Sequence, residues 1–454
     1  MSRLARIDPY ESFYDHTHFA APLIMTLTVT DLIERYHHVR RFSQTIAEPL
    51  SAEDCAIQSM PDVSPTRWHL AHTTWFFETF LLKSIAGYEA FHPQFEMLFN
   101  SYYNSIGEQF PRARRGLISR PSLDETLDYR RYVDAAISEH FSASDLPADV
   151  RKVFEIGLQH EQQHQELMLT DIKHVLAQNP LRPVYRESNF HPKSGNQSQQ
   201  TWQSFDSGVV EAGHATERFC FDNELPRHSV FLHPYSICDQ LVTNGDYLEF
   251  MQDGGYQRPE LWLSAGWATC QEQQWQSPEY WKNRGDEWTC FTLSGQQPVH
   301  PEDPVCHVSY FEADAFARWA GRRLPTEFEW EHAVGTTKRQ SESETATWAD
   351  QRVAHDQPVH PVRHCDDRAA PLHDAFGQVW EWTASQYTAY PGYRPPDGAL
   401  GEYNGKFMCN QFVLRGGSCA TPFNHIRLTY RNFFPPEARW QFTGIRLAAD
   451  STPT

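Results

Sequence analysis

The chain has 454 residues, of which 21% are charged and 40% hydrophobic, and its formal charge is -19. That length predicts two domains, each able to bury its own core, and the acidic balance excludes a nucleic-acid partner, which would need clustered Lys and Arg. Ala20 to Met25 is too short, and too interrupted by Pro22, to span a bilayer, so a cytoplasmic protein with small-molecule partners and no membrane is expected.

Helical periodicity is predicted over Val29–Ile46, Pro65–Ala86, Leu123–Phe141 and Asp149–Ala177. Four such segments describe a bundle over 20–180, an architecture that builds cofactor sites from side chains projecting inward off facing helices. In the second segment, SPTRWHLAHTTWFFETFLL, Ser64 reads as the N-cap and Pro65 as the first helical residue. His69 and His72 follow one turn apart, and spacing alone does not choose between them as ligands. Between this helix and the third, FNSYYNS supplies the adjacent Tyr102 and Tyr103, and PRARRG supplies Arg112 and Arg115. By themselves these read as packing residues and a solvated basic turn.

HEQQHQE (160–166) puts His160 and His164 at i and i+4 on one helix face, where two imidazoles can bind one metal ion. The surrounding Glu and Gln residues equally describe a solvated polar face. HEQQH also matches the HExxH pattern of zinc hydrolases, with Glu161 as general base. The downstream Gly and third His of the extended hydrolase pattern are missing from Leu167 to Asp171, and Glu187 lies in the linker.

Residues 179 to 205 turn to Pro, Ser, Asn and Gln, which marks a linker (181–205) before a second domain over 206–450. That domain is rich in Gly, Pro and Trp, with strands near His228–Leu232 and Gln411–Leu414, helices near Gly245–Met251 and Phe311–Ala320, and no internal repeat. It reads as an irregular α+β unit. Nine cysteines without a CxxC pair fit neither a disulfide framework nor a zinc ribbon, and read mostly as small buried residues.

Leu70-Ala71-His72 together with His160 through Glu166 resembles the DinB-like helical domain of the sulfoxide synthases of ergothioneine biosynthesis. LPRHSVFLHPYSICDQLVTNGDYLEFM (225–251), GRRLPTEFEWEHAV (321–334), GQVWEWTAS (377–385), LRGGS (414–418) and GIRLA (444–448) resemble the C-type-lectin-like formylglycine-generating-enzyme fold. The fold class implied is α plus α+β in two domains. Formylglycine generation needs two neighbouring cysteines late in the domain, whereas Cys419 is the last in the chain.

The resemblance implies an Fe(II) site made by His72, His160 and His164, with His69 structural and Glu161 only a neighbour on the helix. It implies an O2-dependent reaction joining hercynine to a thiol. Gln163, Asn432 and Phe433 match residues that hold hercynine, with Phe433 in place of a Trp. The catalytic tyrosine expected before RGGS is missing, Tyr403 falls near an accessory tyrosine, and Tyr102 and Tyr103 match the paired tyrosines of another branch. Members specific for γ-glutamylcysteine carry an Asp and an Arg where this chain has Phe434 and Ala438, with only Arg439 retained. Free cysteine is therefore the expected thiol, γ-glutamylcysteine the alternative, and Arg112 or Arg115 a partner for the cysteine carboxylate.

Overall fold

The computed structural model describes residues 29–141, 146–188, 200–216, 218–285, 287–337, 348–363 and 372–450. Ala20 to Met25, the middle of the predicted linker and Cys365 lie outside them. The N-terminal unit holds α1 (Val29–Ala47), α2 (Thr66–Phe80), the short α3 (Phe95–Phe99), α4 (Leu123–Phe141) and α5 (Ala148–Gln178). Helix α2 lies at the centre of the bundle: every residue from Thr66 to Glu78 is buried, as expected of a helix apolar on nearly all sides. It begins one residue later than predicted and ends at Phe80 rather than Ala86. Ser64 does not cap it. Its backbone N–H donates to Asp171 and its hydroxyl accepts from Arg115.

At 31 residues, α5 is about 46 Å long, enough to cross the bundle and continue onto the second unit. Gly157 allows its close approach to α2, since a Cβ there would lie 2.6 Å from the Phe77 ring.

The second unit contains β1 (Trp202–Phe205), β2 (Gly208–Ala212), β3 (His228–Leu232), β4 (Tyr235–Leu241), α6 (Asn244–Gln252), α7 (Ser264–Glu272), β5 (Trp281–Asn283), β6 (Trp288–Thr292) and β7 (Gly295–Pro298). It continues with α8 (Tyr310–Trp319), α9 (Glu327–Thr336), α10 (Ala349–Ala354), β8 (Trp380–Gln386), β9 (Phe412–Arg415), β10 (Asn432–Phe434), β11 (Thr443–Gly444) and β12 (Arg446–Asp450). Its sheets run β1-β4-β12, β10-β9-β8-β11, β2-β3 and β5-β6-β7. All described pairings are antiparallel except β11 with β8. Because β1 pairs with β4, Trp202 to Phe205 belong to this unit's sheet and not to the linker.

The two units share one core. A connected cluster of buried side chains runs from Leu32 and Trp75 through Ile172 and Val175 to Phe291, Trp380 and Phe442. All eight described cysteines are free, six of them buried, and no described helix is long and apolar enough to cross a membrane.

Candidate metal centre at the domain seam

His72 comes from α2, and His160 and His164 from α5. One nitrogen from each lies within 4.8 Å of the others, and all three residues are buried. The spacing left His69 and His72 equivalent, and hydrogen bonding separates them. His72 directs Nδ1 to the Phe99 carbonyl at 2.5 Å, which commits that nitrogen to carry the proton and leaves Nε2 bare, 3.1 Å from His160 Nε2. His69 is not part of that group. Its Nε2 lies 3.0 Å from the Asp171 carboxylate and its Nδ1 lies 2.8 Å from His164 Nδ1.

A carboxylate only accepts, so His69 Nε2 carries the proton, its Nδ1 is a lone pair, and His164 Nδ1–H donates to it. The Nε2 of His164 is thereby left bare. Asp171 also accepts from Ser64 N at 2.8 Å, tying the start of α2 to α5. Asp171 had no place in the sequence reading, yet it lies seven residues after His164 on the same helical stripe, which was the available signal.

Burial pushes all three imidazoles toward the neutral form. His160 is held down to about 3, and His72 and His164 are lowered first by burial and then by neighbouring histidine charge. Neutral nitrogens with bare lone pairs converging in a buried space fit a first-row divalent metal. His160 Nδ1 is buried with no partner among the described residues.

Glu161 is buried and fully engaged by its neighbours. It receives Arg40 at 2.9 Å, Ser43 at 2.6 Å and Arg130 at 2.8 Å. Burial would raise its pKa, but the two guanidiniums outweigh it and hold the carboxyl down to about 2. A carboxylate with both oxygens engaged by cations is a poor proton acceptor, which removes the general base that the zinc-hydrolase reading requires.

Nor is HEQQHQE a solvated face. Gln162 donates to the Phe423 carbonyl, Gln165 to the Val39 carbonyl and Ser43, and Glu166 accepts from Trp380, Ser418 and Thr421. Ser418 is presented by the RGGS turn. There Gly416 has φ 98°, and a Cβ on it would lie 2.5 Å from the Ala375 carbonyl oxygen.

The second unit brings Tyr403 to the histidines. Its ring lies 5.7 Å from that of His160 and its hydroxyl donates to Gln163. Tyr102 lies 4.7 Å from Tyr103 and 6.2 Å from Tyr403. Burial raises all three phenols above their ordinary range, so each keeps its proton. The Tyr103 hydroxyl is buried, with the Tyr102 hydroxyl beside it. Glu402 accepts from the backbone N–H groups of Asn104 and Ser105 at 3.0 and 2.9 Å, which fastens the Tyr102–Tyr103 loop to the second unit.

Phe433 stacks on Tyr387 at 4.0 Å and lies 5.9 Å from Phe407, which is 5.3 Å from Tyr102. This forms an aromatic wall continuous with the tyrosines. Asn432 accepts from the Phe433 N–H.

Arg115 is buried, with its guanidinium 3.3 Å over the Trp68 ring and, among the described residues, bonded to Ser64 and Ser101. Trp68 in turn stacks on His72 at 4.5 Å. Arg112 is exposed and donates to the Asp62 carbonyl. Other predicted site residues have partners away from the histidines: Arg439 is engaged by Glu312 at 3.1 Å, the Ser277 carbonyl and the Trp275 ring, and Phe434 packs on Trp440.

Residues 35–168 match the DinB superfamily, and residues 192–451 match the sulfatase-modifying factor enzyme 1-like domain. The chain is 32% identical to the hercynine oxygenase of Mycobacterium tuberculosis, over 88% of this chain and 94% of that one. It is 31% identical to the hercynine oxygenase of Mycolicibacterium thermoresistibile, over 86% of this chain and 88% of that one. A formylglycine-generating enzyme of Streptomyces coelicolor is 28% identical, over 52% of this chain and 85% of that one.

Proposed function

Since the chain belongs to the hercynine oxygenase family, sulfoxide synthases of ergothioneine biosynthesis with a DinB bundle and a sulfatase-modifying-factor domain, we propose that it uses Fe(II) and O2 to join cysteine to hercynine. The reaction exchanges the imidazole C2–H and the thiol S–H for a C–S bond. One oxygen atom goes to sulfur and the other leaves as water. The observation that carries this reading is the convergence of three neutral imidazoles, with no carboxylate among them, at a seam where tyrosines from both units meet.

His72, His160 and His164 would hold Fe(II), which when bound would supply the redox chemistry of O2. Confining both organic substrates against one centre makes their coupling effectively intramolecular, which can be worth roughly 7–11 kcal/mol of barrier. The wall formed by Phe433, Tyr387 and Phe407 suits a trimethylammonium group, which aromatic faces attract. Arg115, a buried cation whose described partners are two hydroxyls and no carboxylate, suits the cysteine carboxylate. Tyr103 holds a proton on a buried hydroxyl beside that of Tyr102 and is assigned as the proton donor.

The test is incubation of Fe(II)-loaded protein with hercynine, cysteine and 18O2, followed by mass spectrometry. The conjugate should form as a sulfoxide carrying one 18O. Absence of any C–S product with either cysteine or γ-glutamylcysteine overturns the reading.

A further inference from the structure

A chain of hydrogen bonds crosses the domain seam and ends at Tyr403, and its direction can be read from its far end. There Arg35 grips both oxygens of Glu155 at 2.7 Å, and a carboxylate so paired only accepts. Gln159, one turn along α5, therefore points its amide nitrogen at Glu155 (3.1 Å) and its carbonyl oxygen at His425 Nδ1 (2.8 Å). An oxygen facing that nitrogen requires it to carry the proton. The other nitrogen of His425, Nε2, is then a lone pair, and Tyr430 donates to it across 3.1 Å.

With its proton committed, the Tyr430 oxygen accepts from the Gln163 amide nitrogen at 2.6 Å. The Gln163 carbonyl oxygen is thereby turned to Tyr403, whose hydroxyl donates to it. Every link follows from the one before it. Reversing the chain would turn the Gln159 carbonyl oxygen toward the Glu155 carboxylate. His425 is buried and its imidazole is driven toward the neutral form the chain requires, by burial first and then by Arg427.

Building on the function proposed above, we propose that His425 is a positioning residue which, acting through Tyr430 and Gln163, commits the Tyr403 proton away from the substrate and makes the Tyr403 oxygen the hydrogen-bond acceptor for the imidazole N–H of hercynine. Tyr403 is then a recognition group and not a proton donor, in contrast to Tyr103. Gln163, with both amide groups engaged by tyrosines, acts on the substrate through Tyr403.

The test measures hercynine affinity on Co(II)- or Fe(II)-loaded protein by calorimetry, with bound metal and Tm recorded for each variant. His425→Phe should raise the hercynine Kd about tenfold, the scale of one misdirected hydrogen bond, at unchanged metal content. His425→Gln can accept from Tyr430 and donate to Gln159, and should stay close to wild type. Tyr430→Phe breaks the same link by a different change and should match His425→Phe, which guards against a folding defect in either variant. Tyr403→Phe should lose affinity alone, and adding His425→Phe to it should cost nothing further, because both act through one bond. Additive losses in the double variant, or a His425→Gln as weak as His425→Phe, overturn the positioning role while leaving the function intact. Failure of the wild-type metal-loaded protein to bind hercynine overturns both.

Discussion

His69 Nδ1 lies 2.8 Å from His164 Nδ1 while its other nitrogen lies 3.0 Å from Asp171, so a histidine outside the metal group decides which nitrogen of His164 faces inward. Support of this kind is typically worth about 10–100-fold in metal affinity. Asp171→Asn and His69→Phe should therefore weaken Fe(II) or Co(II) by that factor in chelator competition, whereas His72→Ala, His160→Ala or His164→Ala should remove most bound metal. Wild-type affinity in His69→Phe would show that His164 needs no such support.

Glu161 carries a stability expectation with a definite sign. Its pKa falls from an ordinary 4.5 to about 2 in the folded protein, so its contribution is complete above the unfolded value and is lost as the pH falls from about 4.5 toward 2. That shift corresponds to on the order of 3 kcal/mol. Glu161→Gln, which strands Arg40 and Arg130, should lower the midpoint of urea unfolding at pH 7 and flatten its acid dependence between pH 4.5 and 2. An unchanged midpoint would mean that the two arginines are satisfied without it.

Tyr103→Phe should retain metal and hercynine binding but slow sulfoxide formation at least tenfold, since a positioned proton donor typically contributes roughly 10²–10⁴-fold. Tyr102→Phe should have the smaller effect. Product analysis that includes cysteine sulfinic acid checks whether thiol oxidation replaces coupling, and full coupling in Tyr103→Phe would leave the proton donor elsewhere.

Arg115→Met should raise the KM for cysteine about tenfold or more, the scale of a charge-assisted bond to a buried guanidinium, with the KM for hercynine changed far less. In a competition between equal cysteine and γ-glutamylcysteine, the cysteine sulfoxide should predominate. Phe434 and Ala438 carry no charge to pair with a γ-glutamyl group, and Arg439 is already held by Glu312. A predominant γ-glutamyl product would reverse the assignment.

A candidate pair of metal ligands was legible in this sequence because such a pair draws on short, rigid spacings, whereas the ergothioneine-type chemistry rested on resemblance. His160 and His164 are one helical turn apart whatever the rest of the chain does, and the α2 and α5 segments are helical from their own periodicity. The second domain was legible from dense local motifs such as RGGS, where a positive-φ glycine is required by the turn itself. The choice of His72 over His69 as ligand rested on resemblance, and its physical basis came only with the Phe99 carbonyl beside His72 and Asp171 beside His69, each distant in sequence from its histidine. The same holds for Glu161, whose surroundings in sequence are glutamines but whose partners Arg40 and Arg130 come from α1 and α4. Tyr403 reaches His160 only because α5 runs on into the second unit and buries its Gln and Glu side chains there. Local spacing specifies what one helix face offers, whereas pairing across helices and domains depends on burial, which turns polar side chains toward whichever partner the fold brings within hydrogen-bond reach.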